Sequence, residues 1–417
     1  MSSGQFDLAR RGLAVLRSMR GLSGKLAQSA DLLDPDWAPE AAELADELRS
    51  GAPEPIAFRR IERELRDAWG GKVSDHLVEI DPEPAAMASA GQVHRAELAS
   101  DGRAVAVKVL HPGAEEALRA DLANLGLVAQ LATAFLPGLD ARAITAELRE
   151  RVLEEYDLEH EAQAQRGFAR AYRGHPFILV PAPVTELART SVLVSEWLPD
   201  GIRVDDADRF GEALVRFHLG AMFHLGAFHG DPHPGNHRLL PDGRVGVVDF
   251  GAVGRAEPVW LAALLDLADA ADGQDSAMMA LDLAALGYLA EPERVDGERW
   301  LGLALHLGGW LLDADPARRT TIEPELGERL AAGAPVDEAL LSEALRFARF
   351  PARDLQAGRL VSGLAARLSL LRAAAPWGAI AAEYRVGAEP ATALGRDEAA
   401  FWAGRRSRAG AVQALRR

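Results

Sequence analysis

Three polar residues carry the clearest chemical pattern in the chain: Asp231, Asn236 and Asp249. They lie in His229-Gly-Asp-Pro-His-Pro-Gly-Asn236 and in Asp249-Phe-Gly251. Asp231 precedes Asn236 by five positions, and Asn236 precedes Asp249 by thirteen. Phosphoryl transfer asks a protein for positioned charge, a metal clamp and a group that orients the nucleophile. Asp231 can orient an acceptor hydroxyl or water, or take its proton. Asn236 and Asp249 offer hard oxygen ligands of the kind magnesium prefers. Residues 237–248 read as a β-hairpin turning at Pro241-Asp242-Gly243, which returns the chain so that Asp249 can face Asn236.

Lys108 is the matching cation. It sits in Ala104-Val-Ala-Val-Lys-Val-Leu110, whose alternation predicts a strand. An ammonium projecting from such a strand can pair with the α- and β-phosphates of a nucleotide, and it then needs a carboxylate to hold it. Glu161, on a helix expected to begin near Thr145, is the leading candidate. Residue usage adds weight. Only Lys25, Lys72 and Lys108 are lysines among 46 basic residues, and asparagine occurs only at Asn124 and Asn236. Arginine does not replace a compact ammonium.

Ahead of the lysine strand runs Ala86-Met87-Ala88-Ser89-Ala90-Gly91. Small residues let backbone approach a polyphosphate closely. Beyond it, the apolar run to Trp197 ends at Pro199-Asp200-Gly201. Backbone groups near Glu196 and Leu198 are expected to meet an adenine edge. A zinc reading competes at the loop, because His229, His233 and His237 recur every four residues. On a helix they would share a face, but Pro232, Pro234 and Gly235 argue against a continuous helix there. His229 then reads as a structural histidine packed beneath the loop.

The elements that must position these residues follow from periodicity. Residues 6–50 have helical spacing, and residues 54–69 suggest another helix ended by Gly70-Gly71. Short β-like runs appear at 77–80, 92–98, 104–110, 177–180 and 191–197, with Asp101-Gly102 as a hairpin turn. A helical stretch is expected over about 114–172. From Asp206 onward the chain reads as mainly helical, and 257–417 as entirely so. The domain expectation is a helical extension over 1–72, a β-rich lobe with inserted helices over 73–198, and a helical lobe over 199–417 with a cleft between the lobes. The order shows no internal repeat.

Bulk properties bound the partners. The chain has 417 residues, 48% hydrophobic and 26% charged, with a net charge of −16. That charge argues against sequence-independent nucleic-acid binding, which uses cations on phosphates. With no cysteine, disulfides and thiolate metal sites are excluded, and a reducing compartment is the natural reading. The amphipathic N-terminus lacks a signal-peptide core. The apolar run at 301–312 is too short for a membrane span. The expectation is a cytoplasmic chain with peripheral membrane contact left open.

Taken together, these motifs resemble the UbiB/AarF family of atypical kinases over about residues 20–255. Lys25-Leu-Ala-Gln28 resembles the family's Lys-x-Gly-Gln motif, and Ala86–Gly91 its alanine-rich loop. Val105-Ala-Val-Lys108 matches its nucleotide lysine. Glu155-Tyr-Asp157 matches its Glu-x-Asp motif, and Glu161 the lysine partner that follows. The His229–Asn236 and Asp249–Gly251 segments match its catalytic and metal motifs. Two departures stand out: Ala27 replaces the family glycine, and Met87 interrupts the alanine-rich loop.

The resemblance implies an α+β, bilobal protein-kinase-like fold with an N-terminal helical extension over the active site. It implies ATP or ADP with Mg2+ as cofactors, and Lys25, Gln28, Glu155 and Asp157 as regulatory residues. The implied activity is that of an ATPase or atypical kinase acting on a small or lipid-like substrate, in quinone or lipid metabolism rather than protein phosphorylation. The competing readings are a nucleotide-gated scaffold with negligible turnover and a small-molecule phosphotransferase, the latter opposed by the Lys25–Gln28 and Glu155–Asp157 motifs.

Overall fold

The computed structural model describes residues 55–88, 90–114, 116, 119, 156–289, 292–324, 352–403 and 405. Residues 1–54, most of the helical extension expected over 1–72, lie outside that set, as does nearly all of 115–155. The described chain mixes α and β structure and divides into two compact units. One comprises residues up to Arg170 together with Pro181–Leu198 and Asp249–Gly251; the other comprises Ala171–Val180, Pro199–Val248 and the chain from Ala252 onward.

The first unit is built on an antiparallel sheet. Strands β1 (Leu77–Ile80), β2 (Ala86–Ala88), β3 (Gly91–Leu98), β4 (Ala104–Leu110) and β6 (Val192–Glu196) take the order β1-β3-β4-β6, with β2 paired to β3. Alternation does the sorting. Val105, Val107 and Val109 turn to one face of β4 and are fully buried with Ile61 and Leu65 of helix α1 (Phe58–Trp69). Ala106 and Lys108 must then turn to the other face. Lys108 lies between Val93 of β3 and Leu193 of β6. Gly102 takes φ 72° in the β3–β4 turn, as Asp101-Gly102 predicts. Helix α1 ends at Gly70, whose left-handed backbone caps it by donating to Arg66 O at 2.8 Å.

Helix α2 (Leu158–Ala171) carries Glu161. It does not run in from Thr145 as expected. Asp157 Oδ1 accepts from the amides of Glu159 at 3.0 Å and His160 at 3.2 Å, so Asp157 caps a helix that starts at Leu158.

In the second unit a short sheet, β5-β9-β8, is formed by β5 (Ile178–Leu179), β8 (His237–Leu239) and β9 (Val245–Val247). The β8–β9 pair is the hairpin expected over 237–248. A two-stranded ladder joins β7 (Ala227–His229) to β10 (Val253–Arg255). Helices α3 (Ala207–Gly220), α4 (Pro258–Asp272), α5 (Ser276–Ala285), α6 (Gly297–Gly308), α7 (Ala352–Leu371), α8 (Trp377–Arg385) and α9 (Ala393–Trp402) make up most of the rest. The region beyond 257 is not wholly helical: β11 (Thr320–Thr321) pairs with β12 (Ala374–Ala375). Two residues per strand are too few for an alternating pattern to register in the sequence.

Arg216 on α3 is fully buried and ties three helices together. It bonds Glu212 at 2.7 Å, Glu383 of α8 at 2.8 Å and Glu398 of α9 at 3.1 Å. A buried guanidinium is tolerable only when paired and hydrogen-bonded in this way.

Candidate active site

Lys108, Glu161 and Asp249 meet in the first unit. Lys108 Nζ donates to Glu161 Oε2 at 2.7 Å, and Asp249 Oδ1 lies 3.6 Å from the same nitrogen. The lysine side chain is 17% exposed, Glu161 3% and Asp249 41%. The charge arrangement is asymmetric, with a buried carboxylate on one side of the ammonium and a solvent-facing one on the other. Burial opposes the charge on Lys108, but Asp249 and Glu161 override it and hold the ammonium above the ordinary lysine range. Burial raises Glu161 above the usual carboxylate value, partly countered by Lys108 and by the Phe250 amide that donates to it.

The Asp249 backbone explains its reach. Its φ is 63°, a left-handed value that non-glycine residues seldom adopt. Its Oδ1 accepts from Gly251 N at 3.4 Å, closing a tight turn. Phe250 is buried against Phe168 of α2, ring centroids 5.0 Å apart. That packing holds the Asp-Phe-Gly turn against the helix bearing Glu161. The sequence pairs Lys108 with Glu161 and Asp249 with Asn236; the Lys108–Asp249 contact is an addition of the structure. No local signal announces a contact between residues so far apart in the chain.

Asp231 and Asn236 meet in the second unit. Asn236 Nδ2 donates to Asp231 Oδ2 at 2.8 Å and to Asp231 O at 3.3 Å. With the amide nitrogen committed, Asn236 Oδ1 is the atom suited to act as a ligand. Asp231 Oδ1 accepts from His233 N at 3.3 Å, so both carboxylate oxygens are oriented. The loop closes on itself: Asn236 N donates to His233 O at 3.0 Å, and Gly235 N to His233 Nδ1 at 3.1 Å. Val248 N donates to Asn236 O at 3.0 Å.

Residues 234–236 form a single 3-10 turn, as the prolines require. His233 is exposed while His229 and His237 are buried, so the three histidines do not share one helical face. Among the described residues, no three His, Cys, Asp or Glu side chains come together as a metal site. His229 lies beneath the loop, with Nε2 3.2 Å from Val248 O. It packs with Phe217, His218 and His237 at ring-centroid distances of 5.8–6.0 Å. Burial lowers the pKa of His237 to about 3 and that of His218 well below the ordinary histidine value.

Of the expected phosphate loop, Ala86, Met87 and Ala88 form β2, with Met87 opposite Gln92 and Ala88 opposite Gly91. Ala90 is buried, and Ser89 lies outside the described residues. Gly91 is required sterically, because a Cβ there would run into Val109 O. The Glu196 amide donates to Ala182 O at 2.9 Å and its Oε2 accepts from Ala182 N at 2.9 Å. Its amide is therefore committed within the unit. Leu198 is buried. Lys25, Gln28 and Glu155 lie outside the described residues.

Comparison with known proteins identifies the family and the fold class. Residues 47–280, more than half of the chain, match the family described as the ABC1 atypical kinase-like domain. A chloroplastic Arabidopsis thaliana protein named Activity of bc1 complex kinase 1 is 33% identical over 279 residues, covering 64% of this chain and 40% of its own length. A chloroplastic aarF domain-containing protein kinase from the same plant is also 33% identical, over 64% of this chain and 38% of its own length. The chain thus spans about two fifths of these relatives. The solved structure of Rv3197 from Mycobacterium tuberculosis, in complex with erythromycin, is 29% identical with a TM-score of 0.62, covering 87% of this chain and 90% of that one. These likenesses fit the mixed α and β architecture to the bilobal kinase-like class. Among the described residues, no helix is long and apolar enough to cross a membrane. The chain belongs to the UbiB/AarF family of ABC1 atypical kinase-like proteins.

Proposed function

We propose that the chain is a magnesium-dependent atypical kinase or ATPase that binds ATP or ADP and acts on a small or lipid-like substrate. The carrying observation is the half-buried Lys108 held between Glu161 at 2.7 Å and Asp249 at 3.6 Å. In this reading Lys108 meets the α- and β-phosphates, and Glu161 fixes its position. Asp249 and Asn236 Oδ1 would hold magnesium, an ion suited by hard carboxylate and amide oxygens. Bound magnesium would supply positive charge against the charge that develops during transfer. Asp231, oriented by Asn236 and His233, directs the acceptor hydroxyl or water. The backbone of residues 86–91 and the groups near Glu196 and Leu198 contact the nucleotide. Lys25, Gln28, Glu155 and Asp157 regulate access. The family resemblance favours quinone or lipid metabolism over general protein substrates, the net charge of −16 disfavours nucleic acid, and the cysteine-free composition favours a reducing, cytoplasmic setting.

The test is Asp249→Asn, which keeps a side chain tolerant of the left-handed backbone while removing the charge. Magnesium-dependent ATP hydrolysis should be abolished, and unchanged turnover would sink the metal assignment. The erythromycin complex of Rv3197 supports a second reading, a nucleotide-gated binding protein with negligible turnover. Its mark is thermal stabilisation by ATP or ADP without phosphate release.

A further inference from the structure

Helix α7 (Ala352–Leu371) lies beyond the family-matched residues 47–280, yet it packs on the Asp231 loop. Gln356 Nε2 donates to Ala252 O at 2.9 Å, and the same carbonyl accepts from Gly230 N at 2.8 Å. One acceptor thus joins the helix to the residue before Asp231. The fit is close: a Cβ on Gly230 would collide with Gln356 Nε2 and would lie 2.7 Å from Ala252 O. Seven residues further along α7, a Cβ on Gly363 would lie 2.5 Å from Pro232 Cγ. Pro232 is the residue after Asp231. Positions seven residues apart fall on one face of a helix. That face therefore follows the loop from Gly230 to Pro232.

We infer that α7 is a positioning element for the Asp231 loop, with Gln356 and Gly363 as its positioning residues. Gln356 fixes the Gly230 peptide through the shared carbonyl. Gly363 admits Pro232, whose ring sets the backbone on the far side of Asp231. Neither touches a reacting group; both act through the backbone flanking Asp231. The catalytic meaning of this brace rests on the proposed function, whereas the brace itself does not.

Two variants separate these claims. Gln356→Met keeps the length of the side chain and removes the donor. Gly363→Ala pushes on Pro232 and leaves the Gln356 bond in place. The chain's two asparagines, Asn124 and Asn236, make a probe inside the loop simple. Protein labelled with 15N-asparagine gives two side-chain amide pairs, assigned with an Asn124→Gln control. Each variant should shift the Asn236 pair and leave the Asn124 pair in place. In a magnesium-ATP hydrolysis assay, kcat should fall about tenfold or more while KM for the nucleotide stays within about twofold, the pattern of a lost transition-state arrangement. Unmoved Asn236 signals in both folded variants would overturn the brace. A kcat loss that only tracks a smaller folded fraction would overturn the positioning role. A wild-type protein without turnover, whose Asn236 signals still shift in the variants, would refute the proposed function and leave the brace standing. If Gln356→Met fails to fold, Gly363→Ala decides on the same readouts.

Discussion

Replacing Glu161 with glutamine keeps the shape of the side chain and removes its charge beside Lys108. The ammonium lies 2.7 Å from Glu161 and 3.6 Å from Asp249. At an effective dielectric of 20, these distances correspond to attractions of about 6 and about 5 kcal/mol before desolvation is subtracted. Desolvation takes back much of this, so breaking a buried pair typically costs about 3–5 kcal/mol. Asp249 survives the substitution and retains part of the attraction, which places the expected loss at about 2–4 kcal/mol. Four proteins complete the measurement: wild type, Glu161→Gln, Lys108→Met and the double variant, each unfolded in urea and followed through the transition of the first unit. The double variant should lose less than the sum of the singles, with a coupling of about 2 kcal/mol or more. Glu161 is only 3% exposed, so 1 M salt should change that coupling little. A coupling below about 0.5 kcal/mol, or one erased by salt, would refute the buried ion pair as the organiser of this site.

Two further outcomes test the scaffold. Gly91→Ala should destabilise the sheet by about 1–3 kcal/mol, because its Cβ would run into Val109 O; an unchanged urea midpoint would contradict the close β3–β4 approach. Stability should also fall in mild acid, because burial lowers the pKa of His175 to about 3 and that of His224 to about 4, from 6.5. The unfolded chain takes up protons there that the fold refuses, so stability present at pH 7.5 is lost as pH drops below 6.5. The loss by pH 5.5 should be about 1.4 kcal/mol for each histidine in urea unfolding, and a flat profile over that range would contradict their neutral burial.

What the sequence determined by itself was local. Alternation placed Lys108 on the face of β4 opposite Val105, Val107 and Val109, since successive strand residues must point to opposite sides. Asp101-Gly102 and Pro241-Asp242-Gly243 marked their turns through short-range backbone chemistry. The prolines around His233 excluded a continuous helix. The tertiary structure decided the partners. Periodicity leaves many acidic residues as candidates for Lys108, and only the packing of α2 against the Asp249 turn brings Glu161 to 2.7 Å. The Asp249–Lys108 contact needed a left-handed backbone that no pattern at an aspartate announces. Periodicity sets Asp157 inside a longer helix, whereas its carboxylate caps α2. The region read as entirely helical beyond residue 257 holds none of the candidate site residues, yet Gln356 and Gly363 meet the residues flanking Asp231. Their contribution is a fit between backbones distant in sequence. A fit of that kind has no period and no characteristic residue type, so it appears only when the chain is folded.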